Sequence, residues 1–313
     1  MAAEGVVSHF DLAVLGADDP LGESFLKALE EADVPVGRLH PLVLGEAEGI
    51  VAFRGEEWPC LPVDGFDFSQ TQALVVASPH PAASRLAEEI RGRRGVMPVL
   101  LLQEVVPAPA LAVARVLKVL AAAGKGVEQA EAFVTLPVAL AGKAGVDELV
   151  HQARGLFSME SPDPEVFPLQ IAFNIIPQLD VASQRYSPAD LAAATATHTG
   201  MPPPGFTVAW APVFYGGVTA LHVRLGQAVS LDELRAVLKQ HEGLCLMESD
   251  LPAGNPTPAT DSLESADIFL GQVRTDGGGV RLWLVYDPLR LEAAQMVSVV
   301  ENWIEKPTTS MLT

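Results

Sequence analysis

Two glycines in the stretch LGADDPLGESF (15–25) have the spacing of a loop that can hold a pyrophosphate. Gly16 ends a short apolar run, and Gly22 lies at the start of a predicted helix. The N–H groups at the start of a helix bind phosphate, and glycines let the backbone approach it closely. Gly16 and Gly22 are therefore the candidate cofactor-binding residues of this chain.

The residues between these glycines argue against such a cofactor. Asp19 is the predicted N-cap of the helix, where its carboxylate would accept the N–H groups that a phosphate needs, and Pro20 supplies no N–H. The carboxylates of Asp18 and Asp19 would also repel a phosphate, each by about 1 kcal/mol in water and about 4 kcal/mol at an intermediate dielectric. We therefore expect no cofactor, and NADP or NAD would bind only if this interpretation of the loop is wrong.

Cysteines and histidines are the other side chains that could take part in catalysis. Cys60 and Cys245 are the only two cysteines, and they lie far apart, so neither a disulfide framework nor a metal site is expected. Both are predicted to be buried thiols, and His222 is predicted to project from a strand in a structural role. His80 follows a predicted strand, at the edge where α/β proteins bind ligands, and is the best remaining candidate for polar chemistry.

Composition limits the classes of partner. The chain has 313 residues, 49% of them hydrophobic, and a net charge of −19, which indicates one or two folded domains. A surface this acidic repels nucleic acid and anionic membranes, so neither is expected as a partner. We see no basic leader and no uninterrupted apolar stretch of about 18 residues, so we expect a cytoplasmic protein without a membrane span.

Strands and helices alternate along the first part of the chain, which predicts a parallel sheet with helices on its faces. The second part is predicted to form another sheet with helices, including a helix opened by the pair Ser230 and Glu233 and a glycine-rich hairpin. The predicted strands are 10–16, 73–78, 96–103, part of 132–142, 206–215, 218–225 and the hairpin 267–287. The predicted helices are one that starts at Asp19 and those over 83–93, 110–124, 146–157 and 289–306.

Five segments, in the same order along the chain, resemble the aspartate-semialdehyde dehydrogenases. They are the Gly16–Gly22 loop, AGKAGVDEL (141–149), IAFNIIPQLD (171–180), APVFYGGVTALHV (211–223) and YDPLRLEAAQMV (286–297). The resemblance implies an α/β fold, with a Rossmann-like parallel-sheet N-terminal domain and an α+β dimerisation domain. The implied domains are a degenerate dinucleotide-binding domain over 1–108, the dimerisation domain over 109–288 and a C-terminal helix, 289–313, that returns to the first domain.

The resemblance also implies a homodimer and an NADP-dependent reaction through a cysteine thioester, but the residues that such chemistry needs are replaced. The nucleophile position of the family is Pro109, which has no nucleophilic atom and no N–H. The base position is Gly217, and the position of the substrate-binding arginine is Trp210. A family segment before the nucleophile position is also missing from this chain.

By the same resemblance, further positions that bind substrate or cofactor carry residues of another type. These positions are Leu136, Ala196 and Thr199 in the second domain, Leu291, Glu292 and Met296 in the last helix, and Glu46 and Glu48 near the 2′-phosphate of NADP. The residues Gly142, Asn174, Pro177 and Gln178 match the family, and we expect them to shape the fold.

We interpret the chain as a catalytically inactive relative of these enzymes, acting as a dimeric binding or regulatory protein whose partner is a protein or a small molecule. One alternative is an active NAD(P)-dependent oxidoreductase acting on an aldehyde or oxo group. It would use Cys60 or Cys245 as nucleophile, with His222 or His151 as base. Another alternative is a heteromeric subunit that modulates an active homologue through the shared dimer surface.

Overall fold

The computed structural model describes residues 10–46, 49–93, 97–161, 163–178, 185–247, 254–276 and 278–306. The chain divides into two compact units. The first unit is Met1–Val105 together with Ala293–Thr313, and the second is Val106–Glu292.

The first unit contains a five-stranded parallel sheet, as the alternating pattern predicted. The order across this sheet is β5–β2–β1–β6–β7, and β3 and β4 form a separate hairpin. The strands are β1 (Phe10–Leu15), β2 (Val36–Val43), β3 (Ile50–Phe53), β4 (Glu56–Pro59), β5 (Leu61–Pro62), β6 (Ala73–Val76) and β7 (Val99–Leu100). The helices are α1 (Pro20–Glu31) and α2 (Pro81–Arg93). The buried runs of β1 and β6 fit strands that are covered on both faces.

Two features of this unit differ from the sequence-based expectation. The strands β2 to β5 were not predicted, because Arg38, His40 and Pro41 interrupt the apolar pattern of β2. The strand predicted over 96–103 is reduced to β7, and a turn of 3₁₀-helix follows it. This turn forms because the Glu104 carboxylate accepts the Leu101 N–H at 2.9 Å.

The second unit contains a seven-stranded mixed sheet in the order β12–β13–β14–β11–β8–β10–β9. The strands are β8 (Val127–Leu136), β9 (Ile176–Pro177), β10 (Gly205–Trp210), β11 (Gly217–Leu225), β12 (Leu244–Leu246), β13 (Ile268–Asp276) and β14 (Gly279–Tyr286). The helices are α3 (Ala108–Ala122), α4 (Gly142–Phe157), α5 (Pro188–Thr199) and α6 (Leu231–Lys239), and α7 (Pro288–Glu305) begins in this unit. The predicted hairpin is β13–β14, whereas β10 and β11 lie on opposite sides of β8.

Helix α3 is buried on nearly all sides, as its apolar sequence predicted. The segment Leu102–Ala122, which includes α3, is long and apolar enough to cross a membrane, with a mean hydropathy of 1.8. It is also 72% buried within the protein, which is the environment of a core helix. Gly124, at φ 71°, follows the end of this helix in a left-handed conformation that glycine adopts without strain.

Candidate functional site

The packing of the first unit requires both glycines of the candidate dinucleotide loop. Gly16 has φ 83°, and a Cβ there would lie 2.5 Å from Cβ of Ser78. A Cβ on Gly22 would lie 2.0 Å from the Gly16 carbonyl oxygen. The loop can therefore keep both glycines for the close approach of β1, α1 and the segment after β6, whether or not a ligand binds.

The start of α1 corrects one detail of the prediction. Asp19 is the N-cap in an extended conformation, and Pro20 is the first helical residue, but the Asp19 carboxylate makes no cap hydrogen bond. Backbone contacts hold the turn instead, because the Asp19 N–H donates to the Gly16 carbonyl and the Glu23 N–H donates to the Asp19 carbonyl. At this loop a bound phosphate is therefore disfavoured by the charges of Asp18 and Asp19 and by the missing N–H of Pro20.

The other candidate residues of the first unit are His80, Glu46, Glu48 and Cys60. His80 is exposed, and its Nδ1 accepts the N–H of Ala82 at 3.2 Å, which helps to hold the first turn of α2. Glu46 is exposed, and Glu48 lies outside the described residues. Cys60 is only 4% exposed, as predicted for a buried thiol, whereas Cys245 in the second unit is only partly buried, so the same prediction is wrong for it.

The start of α3 contains Pro109, the residue that the resemblance predicts at the nucleophile position of the family. Pro107 is the N-cap, and Pro109 lies buried in the first turn of the helix. The Ala108 N–H donates to Oε1 of Glu292 at 2.9 Å. The first turn of α3 therefore contains Pro109, which has no nucleophilic atom. The Ala108 N–H in the same turn is already bound by the Glu292 carboxylate.

Glu292 is fully buried and forms the centre of a polar cluster in the second unit. Its carboxylate accepts the Tyr186 hydroxyl at 3.1 and 3.2 Å and pairs with Arg185 at 2.9 Å. Burial and the neighbouring Glu292 charge raise the pKa of Tyr186, so this hydroxyl stays protonated as a donor. Burial lowers the pKa of Arg185, but the Glu292 charge and the hydrogen bonds to Tyr186 and Glu292 outweigh burial and raise it overall.

Sequence reasoning identified Glu292 only as a changed residue and missed its two partners. A signal was present, because a lone carboxylate within the apolar run of the last helix requires a buried partner. The other two replaced positions of this helix, Leu291 and Met296, are buried apolar side chains.

The base position, Gly217, lies at the start of β11 against an aromatic ring. A Cβ on Gly217 would lie 2.8 Å from Cε2 of Tyr286, and one on Gly216 would lie 2.3 Å from the Pro258 carbonyl oxygen. Tyr286 is fully buried, and its hydroxyl pairs with Thr219 Oγ1 at 2.9 Å. A histidine at position 217 could be accommodated only if the Tyr286 ring moved.

The arginine position, Trp210, has a role in packing. Its indole Nε1 donates to Oε1 of Gln178 at 2.7 Å, and its ring meets Phe167 edge to face at 5.2 Å. Leu136 is buried at the end of β8, and the Thr199 hydroxyl donates to a backbone carbonyl of its own helix. These positions contribute to local structure through their present side chains.

The structure does not bring Cys245 and His222, one pair of the alternative nucleophile and base, together. Through the strand register, Cys245 on β12 is level with Val218 on β11, and three strand spacings separate them, which is roughly 14 Å. His222 lies further along β11, with Nε2 at 3.8 Å from Oδ1 of Asp276. Burial first, then the charge of Asp267, raises the pKa of the Cys245 thiol, which disfavours the thiolate.

Two histidines and the possibility of a metal site remain to be described. His222 lines a pocket of about 160 Å³ with Gln129, Glu131 and Arg224. His151 is exposed on α4. Within the described ranges, no group of three or more histidine, cysteine or acidic side chains could hold a metal ion.

A family model, sequence relatives and solved structures all match this chain to the same family. Residues 117–291, more than half of the chain, match the family model "Semialdehyde dehydrogenase, dimerisation domain". An aspartate-semialdehyde dehydrogenase of Shewanella violacea is 29% identical over 91% of this chain and 95% of its own length. A USG-1 protein homolog of Azotobacter vinelandii is 28% identical over 93% of this chain and 97% of its own.

Solved structures agree with this result. The crystal structure of aspartate semialdehyde dehydrogenase II from Vibrio cholerae superposes with a TM-score of 0.81, at 25% identity, over 96% of this chain and 100% of that one. The predicted fold class, a parallel-sheet N-terminal domain with a dimerisation domain, is confirmed. The match to a dimerisation domain also supports the expected homodimer. The chain therefore belongs to the aspartate-semialdehyde dehydrogenase family.

Proposed function

We propose that this protein is a catalytically inactive member of its family and acts in the cytoplasm as a homodimeric binding or regulatory protein. The observation that carries the proposal is Pro109 at the nucleophile position, in the buried first turn of α3. A thioester requires a nucleophilic sulfur, and proline supplies neither a nucleophile nor an N–H for an oxyanion.

Two further positions support the loss of activity. At Gly217 the ring of Tyr286 takes the space that a base would need. At Trp210 an indole bound to Gln178 replaces the guanidinium that would hold an anionic substrate. Since acid–base catalysis and anion binding need these groups as well as the nucleophile, one compensating change elsewhere would not restore the reaction.

The dinucleotide loop does not fit NADP. The Asp18 and Asp19 carboxylates flank the start of α1, where the pyrophosphate would have to approach. Pro20 removes one N–H donor at the same place. The phosphates would therefore meet charge repulsion at a helix start that normally attracts them.

Exposed apolar side chains in the matched region support a homodimer. Phe157 and Phe173 are 81% and 67% exposed, and their rings are in edge-to-face contact at 5.8 Å. Met159, Leu169 and Ile175 are also exposed, between 56% and 97%. Exposed apolar side chains such as the paired rings of Phe157 and Phe173 are typical of a surface that another protein covers.

The proposed inactivity is tested by calorimetry and an activity assay on the purified full chain. We expect no heat with NADP or NAD at millimolar concentration, and no turnover of aspartate semialdehyde with NADP and phosphate. Micromolar binding of either dinucleotide would contradict the interpretation of the Asp18–Asp19 loop. Measurable turnover would contradict the proposed inactivity itself.

The homodimer is tested by light scattering during size-exclusion chromatography. We expect twice the chain mass for the wild type and a shift towards one chain mass for Phe173→Asp. The matched control is Ile50→Asp, which changes another exposed apolar side chain in the first unit. A wild-type protein that is monomeric alone, but associates with an active homologue, would favour the heteromeric subunit instead.

The alternative of an active oxidoreductase has less support. It needs a thiolate beside an imidazole, whereas Cys245 has a raised pKa and lies several strands away from His222. Cys60 is buried in the other compact unit. Turnover that disappears in Cys245→Ser or Cys60→Ser would establish this alternative.

A further inference from the structure

We propose that a second copy of this chain covers one face of the seven-stranded sheet, and that Arg224 of each copy pairs there with Glu131 of the other. This inference rests on the proposed function, because it requires the homodimer. To the homodimer it adds the face that forms the interface and the two charged side chains that pair across it.

The two faces of the central strands β8 and β11 have different surroundings. Along these strands alternate residues are buried, and α3 packs against both strands. The residues between them are exposed or half-buried and point to the opposite face, which we call the open face. Through the strand register with β10, the open face carries the side chains of Gln129, Glu131, Phe133, Thr207, Ala220, His222 and Arg224.

Phe133 is the large apolar side chain of the open face. It is 44% exposed, although its strand is paired on both sides, and the residues opposite it are the smaller Ala220 and Thr207. Sheets that pack face to face lie about 10 Å apart and interdigitate their side chains. An aromatic ring that stands among smaller residues can therefore insert into the face of a second sheet and anchor it.

The charges of the open face favour a second copy as the partner. The chain has a net charge of −19, so two copies associate most readily where the local charge is balanced. On the open face the Glu131 carboxylate accompanies the Arg224 guanidinium. This face is complementary to itself, whereas a uniformly acidic or basic partner would bring a like charge opposite one of the two side chains.

Glu131 and Arg224 line the same hollow of about 160 Å³, but they do not pair within the chain. The Glu131 carboxylate accepts a hydrogen bond from Nε2 of Gln129 at 3.1 Å, and within the described ranges the Arg224 guanidinium has no ion pair. In a two-fold dimer, an axis that passes midway between the two side chains brings each Arg224 opposite Glu131 of the partner subunit. Both ion pairs then form at once, because the same surface is used twice.

The open face continues towards exposed apolar side chains of the same unit. At the edge of the sheet, Pro177 on β9 pairs with Ala209 on β10, and Phe173 lies shortly before β9 in the chain. All of these residues fall within 117–291, the range that matches the dimerisation domain. A second copy on the open face would therefore extend towards the Phe173 ring.

The test is charge reversal, followed by light scattering during size-exclusion chromatography at low ionic strength, where ion pairs are least screened. By symmetry, Arg224→Glu and Glu131→Arg each create two like-charged pairs, so we expect each variant to raise the dimer dissociation constant by about 100-fold. An equimolar mixture of the two variants should recover a dimer that contains one chain of each kind, because the reversed charges then match. Native mass spectrometry identifies this mixed dimer.

The matched control reverses an exposed ion pair of the first unit, Arg93 with Glu89 on α2. Arg93→Glu and Glu89→Arg should leave the dimer unchanged. Arg224 and Glu131 are exposed, so all four variants should keep the circular dichroism spectrum of the wild type.

Recovery on mixing distinguishes a pair between copies from a pair within one chain. If the two charges interacted within one chain, the double variant Arg224→Glu with Glu131→Arg would recover the dimer and the mixture of single variants would not. That result would overturn the proposal, and so would a dimer that neither single variant weakens.

Failure of the open face is distinguishable from failure of the proposed function. A monomeric wild type would overturn the homodimer and the open face together. A dimer that Phe173→Asp dissociates, but that charge reversal leaves intact, would contradict the open face alone. Turnover by the wild type would contradict only the proposed inactivity.

Discussion

The candidate dinucleotide loop in the first unit and the start of α3 in the second unit are built in different ways. The loop has two glycines that make close contacts, with the carboxylates of Asp18 and Asp19 between them. At α3, the chain's own Glu292 binds the helix start, and at β11 the Tyr286 ring lies against the base position. Glycines that packing requires are therefore weak indicators of cofactor binding, whereas a helix start whose N–H is bound by the chain's own carboxylate argues against a ligand at that N–H.

The largest expected effect concerns the buried cluster at α3. Glu292→Gln keeps the volume of the side chain but removes the buried negative charge that pairs with Arg185 at 2.9 Å, so we expect a loss of about 3–5 kcal/mol in the free energy of unfolding. Urea denaturation measures this loss. Arg185→Met combined with Glu292→Gln should be less destabilised than the single variant, and additive losses would show that the two charges are not coupled.

The next effect concerns the glycines of the loop. Gly22→Ala should cost about 2–3 kcal/mol, because its Cβ would lie 2.0 Å from the Gly16 carbonyl oxygen. The control is Gly92→Ala on α2, where a Cβ meets nothing within 4 Å and alanine should stabilise the helix by up to about 1 kcal/mol. If thermal unfolding shows equal effects at the two positions, the glycines of the loop are not explained by packing.

A smaller effect is expected at Trp210. Trp210→Phe removes the indole donor that Gln178 accepts at 2.7 Å, and we expect a loss of about 1 kcal/mol. A double-mutant cycle with Gln178→Leu should give a coupling energy of similar size. A coupling energy near zero would show that Trp210 acts only through the contact of its ring with Phe167.

The smallest expected effect is on the rate at which a thiol reacts with a disulfide reagent. We compare Cys245 in the second unit with Cys60 in the first. Cys245 should react with a disulfide reagent more slowly at pH 7 than a free thiol, with a rate that rises as the pH passes the raised pKa. Asp267→Asn should accelerate this reaction several-fold, because it removes a negative charge beside the thiolate. Cys60 should react only on unfolding, and rapid labelling of Cys60 in the native protein would contradict its burial.

Local patterns in the sequence determined most of the elements in both units. Apolar periodicity located α1, and the residues Leu21, Phe25, Leu26 and Leu29 are buried on it as predicted. A continuous apolar run located α3, and the glycine-rich turn located the β13–β14 hairpin. These patterns are informative because they arise from neighbours within one helix or hairpin. The strand β2 was missed because pairing with β1 and β5, which no local pattern records, outweighs its polar residues.

The sequence by itself also determined the residues that the resemblance predicts at the functional positions of the family, including Pro109, Gly217 and Trp210. Only the tertiary structure decided what surrounds them. Glu292 and Tyr186 are 106 positions apart in the chain, and Gly217 meets the Tyr286 ring across paired strands. The side chain of Asp19 was predicted as a cap from its position alone, but backbone bonds hold that turn. Contacts of this kind depend on where the folded chain brings distant segments together, which residue spacing does not encode.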